Sequence, residues 1–587
     1  MDASLVTSPR NATETPWQRV RLRVPREDGA LLAQPPLPSV GSLLERNVAR
    51  LAEAECSIAG IPLSDLRQQA REEVLRAAAY WTRELLGRKP DFVDSGPLVV
   101  SGHQPELFHP GVWIKNFAAS KIARQCGAVS LNLIIDNDIA ASRRIRVPAG
   151  TRERPALQSV EFDGPEPAMP WEEAKIVDRA KFESFGIRVQ QAMAHWPLPA
   201  PLAQKVWPFA VEHSRKTQNL GDCLSAARAR LEQVLGFGNL ELPIRHLAMQ
   251  PSFGAFIAEM LGRAAEFREV HNAVLAEFRR VNRVRSHTHP VPELSEKNGW
   301  IEAPFWIWKS GDTVRQRAFV RPGSPEVLLA TAPDESAAVA GLSPAMNEDP
   351  GSTRHVLTLL AERGYRVRPR ALATTIYSRL ILGDLFIHGI GGAKYDEMTD
   401  RILSRFFGID PPGFLTLSAT AYLPFAEPFP VTRDEEGRLR QLLRELEHNP
   451  QRYIPADTPT ATDLIAEKQQ LITSVGCVST HQSSAGASVG CVPKHQSSDA
   501  DSSVRQDAPY AGSIAARPGL HRYRRIPEIN RQLAEHTTQR RALTRDELAA
   551  TRDQLTANQT LTSREFPWCL YPLERVQRLI TSLPDVG

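Results

Sequence analysis

The chain has 587 residues, enough for roughly three to four domains of about 150 residues and for a sizeable core without a disulfide or metal staple. Lysine and arginine number 71 against 67 aspartates and glutamates, and a net charge of +4 argues against a dedicated electrostatic binder of DNA or RNA. Six cysteines in this length make no disulfide framework, and proline is the one high count, 46 residues or roughly 8% against a usual value near 5%.

The start of the chain lacks an apolar stretch long enough for a signal peptide, and no run of about 18 apolar residues occurs. A cytoplasmic protein without membrane contact is the expectation. Residues 1–39 read as irregular and residues 40–90 as helices, broken once at Gly60-Ile61-Pro62. Leu66, Val74, Leu75, Trp81 and Leu85 share one side of the second helix at a helical period.

The next stretch changes character. PLVVSGHQ predicts a short buried strand, HPGVWIKNFAASKIARQCG a helix ending at Gly127, and AVSLNLIID a second strand. That order is a βαβ unit, hence two parallel strands joined by a right-handed crossover. Residues 91–150 thus hold the first half of an α/β core.

A mostly helical connecting insert is expected over 151–350. It is loop-rich to about 220 and has helices near 221–235 and 252–284. WIEAPFWIWKS and TVRQRAFVRPG around Gly311-Asp312 predict a β-hairpin within it. The α/β rhythm returns over 351–425 with the helices TRHVLTLLAERG, RPRALATTIYSRLIL and KYDEMTDRILSRFFG and the strands DLFIHGI and FLTLSAT. One sheet assembled from both halves accounts for the few strands in each.

Residues 426–473 and 519–587 read as a C-terminal helical arm, with helices at 433–448, 462–473 and about 527–558. Ile529, Leu533, Leu548 and Leu555 give the last only a thin apolar stripe, which suits a coiled coil and a homodimer contact. Between the arm helices, SVGCVSTHQSSAGA at Ser474 is followed by the near-copy SVGCVPKHQSSDAD at Ser488. Such composition predicts a disordered insertion over 474–518. Duplicating one Cys and one His yields Cys477, His481, Cys491 and His495 without the ligand spacing of a zinc finger, so no metal is expected.

Three places carry candidate chemistry. The loop from Ser101 to Gly111 leaves the carboxyl end of a strand and enters a helix, the edge where open α/β sheets bind ligands. Gly102 permits close backbone approach, and His103, Gln104 and His109 offer donors and acceptors for an anion at the helix N-terminus. Lys115, with Asn116 beside it, adds a point charge one turn on. Asp136-Asn137-Asp138 closes the next strand in the same crevice, where Asp136 or Asp138 is placed to orient an amine or act as a base. His388, Gly391, Gly392, Lys394 and Tyr395 repeat the strand-end, glycine, helix-start layout and would line the opposite wall. No Walker A or G-x-G-x-x-G fingerprint is present.

These blocks together resemble the BshC family, the cysteine-adding enzymes assigned to bacillithiol biosynthesis. LVVSGHQPELFHPGVWIKNFAASKIARQ is similar to that family's strand-loop-helix block, LNLIIDNDIAA to its apolar strand closing in acids, and RPRALATTIYSRLILGDLFIHGIGGAKYDEMTDRILSRFFGIDPPGFLTLS to its second block. The resemblance covers about a fifth of the chain. It implies a Rossmann-like core split by a helical insert, a C-terminal coiled-coil arm, and a ligase-type reaction forming a C–N bond between a cysteine-like amine and a glucosaminyl-malate-like acid. A core of that kind admits a nucleotide as cofactor. The sequence departs from the family at His103, where Gln is usual, after Gly391-Gly392, where Pro is usual, and at Lys394 and Tyr395, a stretch normally acidic. The fold therefore carries over further than the substrate. A shorter similarity, His103-Gln104-Pro105 with Pro110-Gly111 and Lys115, links the chain to the WbqC-like, glycan-related family. A non-catalytic scaffold with an oligomerising arm is the competing class.

Overall fold

The apolar runs of both halves become strands of one six-stranded sheet: β1 (Leu31–Gln34), β2 (Leu98–His103), β3 (Val129–Ile134), β4 (Leu240–Pro243), β5 (Leu385–His388) and β6 (Leu415–Ala419). This computed structural model describes residues 17, 22–89, 95–286, 288, 290–323, 325–346, 348–473 and 518–587, with side chains from 524 onward in the last stretch. The duplicated segment, with Cys477, His481, Cys491 and His495, lies outside the described residues.

The spatial order is β1-β6-β5-β2-β3-β4. β2 to β6 run parallel and β1 pairs antiparallel with β6. Counted in chain order, the third, second, first, fourth and fifth parallel strands lie side by side, so the winding reverses between β2 and β5. All six residues of β3 are buried, which is why it reads as a continuous apolar run rather than an alternating one. β1 comes from the stretch expected to be irregular; four residues ending before a proline pair give too short a pattern to read.

Four helices matter for the site: α1 (Leu63–Leu86), α2 (Pro110–Cys126), α3 (Leu220–Val234) and α4 (Ile390–Phe406). α2 makes the crossover from β2 to β3 and stops at Gly127, whose φ of 60° is the left-handed conformation that glycine adopts without a Cβ clash. α4 makes the crossover from β5 to β6.

The connecting insert carries more β-structure than expected. The predicted hairpin exists as Trp300–Lys309 and Gln316–Arg321, but it belongs to a second, antiparallel six-stranded sheet. Glu296–Lys297, Val327–Ala330, Ala338–Leu342 and Tyr365–Pro369 complete that sheet. Ala303, Phe305 and Ile307 are fully buried in the core, while Trp306 on the alternate face is only half-buried. The region expected to be loop-rich to 220 also folds, as the hairpin Arg144–Gly150 with Pro155–Glu161 and the helices Arg179–Met193 and Leu202–His213.

The chain divides into two compact units, residues 1–427 with 560–587, and residues 428–559. The second unit is helical, with Ile454, Ala461, Ile529 and Leu533 at its core. The long helix expected near 527–558 is two helices, Pro518–Glu535 and Thr538–Leu561. At the break, the hydroxyls of Thr537 and Thr538 donate to the Ala534 and Glu535 carbonyls, a local bond that competes with helix continuation. Residues 560–587, expected in the arm, belong to the first unit. There the Trp568 N–H donates to the Phe108 carbonyl at 2.8 Å, and the Tyr571 hydroxyl donates to the Ala421 carbonyl at 2.8 Å.

Candidate functional site

The reversal of winding places the carboxyl ends of β2 and β5 next to each other, with Ile387 beside Ser101. In open α/β sheets that point is where ligands bind. Two of the predicted site segments therefore meet: the loop after His103 and the turn after His388.

On the β2 side, His103 Nδ1 lies 3.2 Å from the Gln104 carbonyl oxygen, so Nδ1 carries the proton and Nε2 is left as an acceptor. Burial, reinforced by the Lys115 charge, holds His103 down at about 3, and the ring is neutral at physiological pH. Its edge packs on Phe108 with centroids 4.6 Å apart. A cavity of about 10 Å³, room for a single water, is lined by His103, Gln104, Asn116, Asn132, Ser225 and Arg228. The buried Ser225 hydroxyl has no partner there among the described residues.

Lys115 is not the solvent-facing charge that its place one turn into a helix suggests. It is 4% exposed and its ammonium donates to the Gly102 carbonyl at 2.9 Å. Burial without a nearby carboxylate lowers it to about 8. The α2 N-terminus is likewise closed. The Gly111 N–H donates to His109 Nδ1 at 3.1 Å, and the N–H of Val112 donates to the His109 carbonyl at 3.0 Å. A side chain on Gly111 would overlap the Ala419 carbonyl oxygen. Asn116 donates to Glu232 at 2.9 Å, within a buried network in which Arg228 bridges Glu232 at 2.8 Å and Glu241 at 2.7 Å. These two residues support the floor of the crevice rather than reach a ligand.

The two acids that close β3 have opposite fates. Asp136 is 1% exposed and held by Arg245, from the backbone N–H at 3.1 Å and the guanidinium at 2.7 Å. Arg245 also grips Asp222 at 2.8 Å and lies 4.8 Å from the Trp81 ring centroid. Asp138 has 40% of its side chain exposed, accepting from the Gln104 amide at 2.8 Å and from Arg315 at 3.1 Å. Arg315 comes from the hairpin loop just before Gln316–Arg321 of the second sheet and stacks 4.8 Å from Trp306, a ring that Arg370 approaches at 4.9 Å. Gln104, Asp138 and Arg315 thus converge from three distant parts of the chain. Nothing in the sequence spacing pairs Arg315 or Trp306 with Asp138.

On the β5 side, His388 Nε2 lies 2.6 Å from Asp396 Oδ2, eight residues on in α4. Arg379 holds Asp396 at 2.7 Å and Asp400 at 2.6 Å. It projects from a π-helical turn, Ser378–Leu382, of the sort that collects at functional sites. Gly391 is exposed at the start of α4, with Gly392 half-buried beside it, while Lys394 is exposed and Tyr395 half-buried one turn further along. Arg379 and Asp396 were missed in the sequence, where both read as ordinary helical charges.

A larger cavity of about 500 Å³, lined by Lys121, Arg124, Leu235, Phe237 and Ile580 among others, lies by the carboxyl end of α2 and includes none of the predicted site residues. Among the described residues no cluster of His, Cys, Asp and Glu could hold a metal ion, and no helix is long and apolar enough to cross a membrane. No protein-family model matches the sequence, and no curated protein matches it.

Proposed function

We propose that the first unit is a Rossmann-like enzyme core that joins a small amine to an acid-bearing small molecule, the BshC-like C–N bond formation that the sequence blocks imply. The observation that carries the reading is the meeting of Gln104, Asp138 and Arg315 beside the switch between β2 and β5. Asp138, partly exposed and oriented by two donors, is the group that receives or orients the attacking amine. Asp136, tied to Arg245, anchors the loop that carries it. His103, neutral with Nε2 as an acceptor, faces the same substrate. The second, helical unit serves as a coiled-coil, dimerising arm in this reading.

The test is product formation. The full chain is incubated with cysteine and glucosaminyl-malate, with and without ATP, and the amide is sought by mass spectrometry. His103→Ala should abolish turnover with little change in melting temperature. Turnover that survives this substitution removes the site assignment. Thermal stabilisation by sugar nucleotides alone, with no amide formed, moves the assignment to the WbqC-like class.

A further inference from the structure

The two strand-to-helix turns at the switch point are alike in layout and opposite in what they offer a ligand. At α2 the first-turn N–H groups are used internally and the approach is covered. At α4, a helix of 17 residues, the N-cap is Gly389, which has no side chain to cap with. The first bond of the helix is from the Ala393 N–H to the Gly389 carbonyl at 3.0 Å. The N–H groups of Ile390, Gly391 and Gly392 have no partner among the described residues. A Cβ on Gly389 or on Gly391 would meet nothing within 4 Å among the described residues.

A second, independent feature points to the same spot. The His388 side chain is 8% exposed, with Nε2 against Asp396 at 2.6 Å. Its buried Nε2 makes no hydrogen bond among the described residues, and its Nδ1 lies 2.7 Å from where a Cβ on Gly392 would stand. Gly392 is thus the residue that lets the imidazole lie over the first turn of α4. The charged groups around the ring are Asp396 and Asp400 on α4 and Arg379 on the turn before β5, two carboxylates against one guanidinium.

We propose that the first turn of α4 binds the acid group, carboxylate or phosphate, of a small-molecule substrate. The N–H groups of Ile390, Gly391 and Gly392 point at it with the positive end of the helix dipole. His388 faces the anion with Nδ1, its Nε2 being turned to Asp396. This deepens the function proposed above and rests on it for placing the substrate in this crevice.

The experiment is isothermal titration calorimetry of the full chain with malate and, separately, with inorganic phosphate, each against sodium chloride of equal ionic strength. Saturable binding of malate identifies a carboxylate site, and saturable binding of phosphate identifies a phosphate site. Gly391→Leu puts an apolar side chain into the space its Cβ enters freely and should weaken binding about tenfold or more. His388→Gln should weaken it similarly, and the imidazole ¹⁵N shifts of His388 should respond to the anion in the wild type and not in Gly391→Leu. Absence of binding beyond the chloride control, or equal affinity in Gly391→Leu, overturns the site. Anion binding without any amide product removes the proposed reaction and leaves the site standing. Amide formation undiminished in Gly391→Leu removes the site and leaves the reaction.

Discussion

Lys115 gives the sharpest physical test of the crevice floor, because it is a buried cation whose bonded partner among the described residues is a neutral carbonyl. Its ammonium falls from 10.5 to about 8 through burial alone. That is roughly 2.5 pH units, and at about 1.4 kcal/mol per unit the charged form is roughly 3.5 kcal/mol costlier in the fold than in the unfolded chain. The unfolded chain therefore binds more protons between about pH 8 and 10.5. Stability must rise with pH across that window as the folded protein sheds the proton first. Lys115→Met keeps the length of the side chain and removes the charge, at the cost of about 1–3 kcal/mol for the bond to Gly102. The slope therefore decides the matter, not the stability at one pH. Urea unfolding followed by tryptophan fluorescence suits the purpose, since all 10 tryptophans lie in the first unit. The wild type should gain roughly 3 kcal/mol on the variant between pH 8 and 10.5. Parallel curves for the two proteins would refute the argument.

Three further outcomes follow from buried charges and glycines. Arg228→Met strands Glu232 and Glu241, both under 3% exposed, and should cost about 3–5 kcal/mol in urea unfolding. Glu172, 2% exposed at the side chain and beside Arg368 at 3.0 Å, is pushed up to about 7 by burial. The folded protein thus binds more protons between about pH 4.5 and 7, stability falls as pH rises through that window, and Glu172→Gln should flatten this part of the melting profile. Gly391→Ala should stabilise by up to about 1 kcal/mol, because it lowers the entropy of the unfolded chain and meets no neighbour. Gly392→Ala should destabilise instead, since its Cβ would lie 2.7 Å from His388 Nδ1.

The sequence was most readable where a segment is buried on both sides. β2, α2 and β3 announced themselves because the strands are continuous apolar runs and the helix ends at a glycine, and the topology that follows put two strand ends at one crevice. The same burial hid the role of Lys115. α2 is covered on nearly every side, so helical periodicity held no information about whether a lysine on it meets water. Asp136 and Asp138 could not be separated by local pattern either. Their fates depend on Arg245 and Arg315, which lie 109 and 177 residues further along the chain. The second sheet was missed because Val327–Ala330 is only four residues long and Ala338–Leu342 is rich in small residues, leaving one hairpin as the visible fraction of six strands.

The two walls of the crevice differ in polarity, and this orders a substrate with two functional ends. The β2 wall presents acceptors: His103 is neutral with Nε2 unprotonated, and Asp138 keeps an exposed carboxylate. The Lys115 cation beneath it is spent on Gly102 and helps to keep His103 uncharged. The β5 wall presents donors, the first-turn N–H groups of α4. An amine brought against the first wall meets hydrogen-bond acceptors for its N–H groups, while an acid against the second meets a helix N-terminus. In the reverse orientation the acid would face the Asp138 carboxylate and the amine would face the positive end of α4, and both contacts are repulsive. In the proposed reaction this difference sets the direction in which the substrates enter, and it comes from how each turn uses its own N–H groups rather than from any excess of charge in the chain.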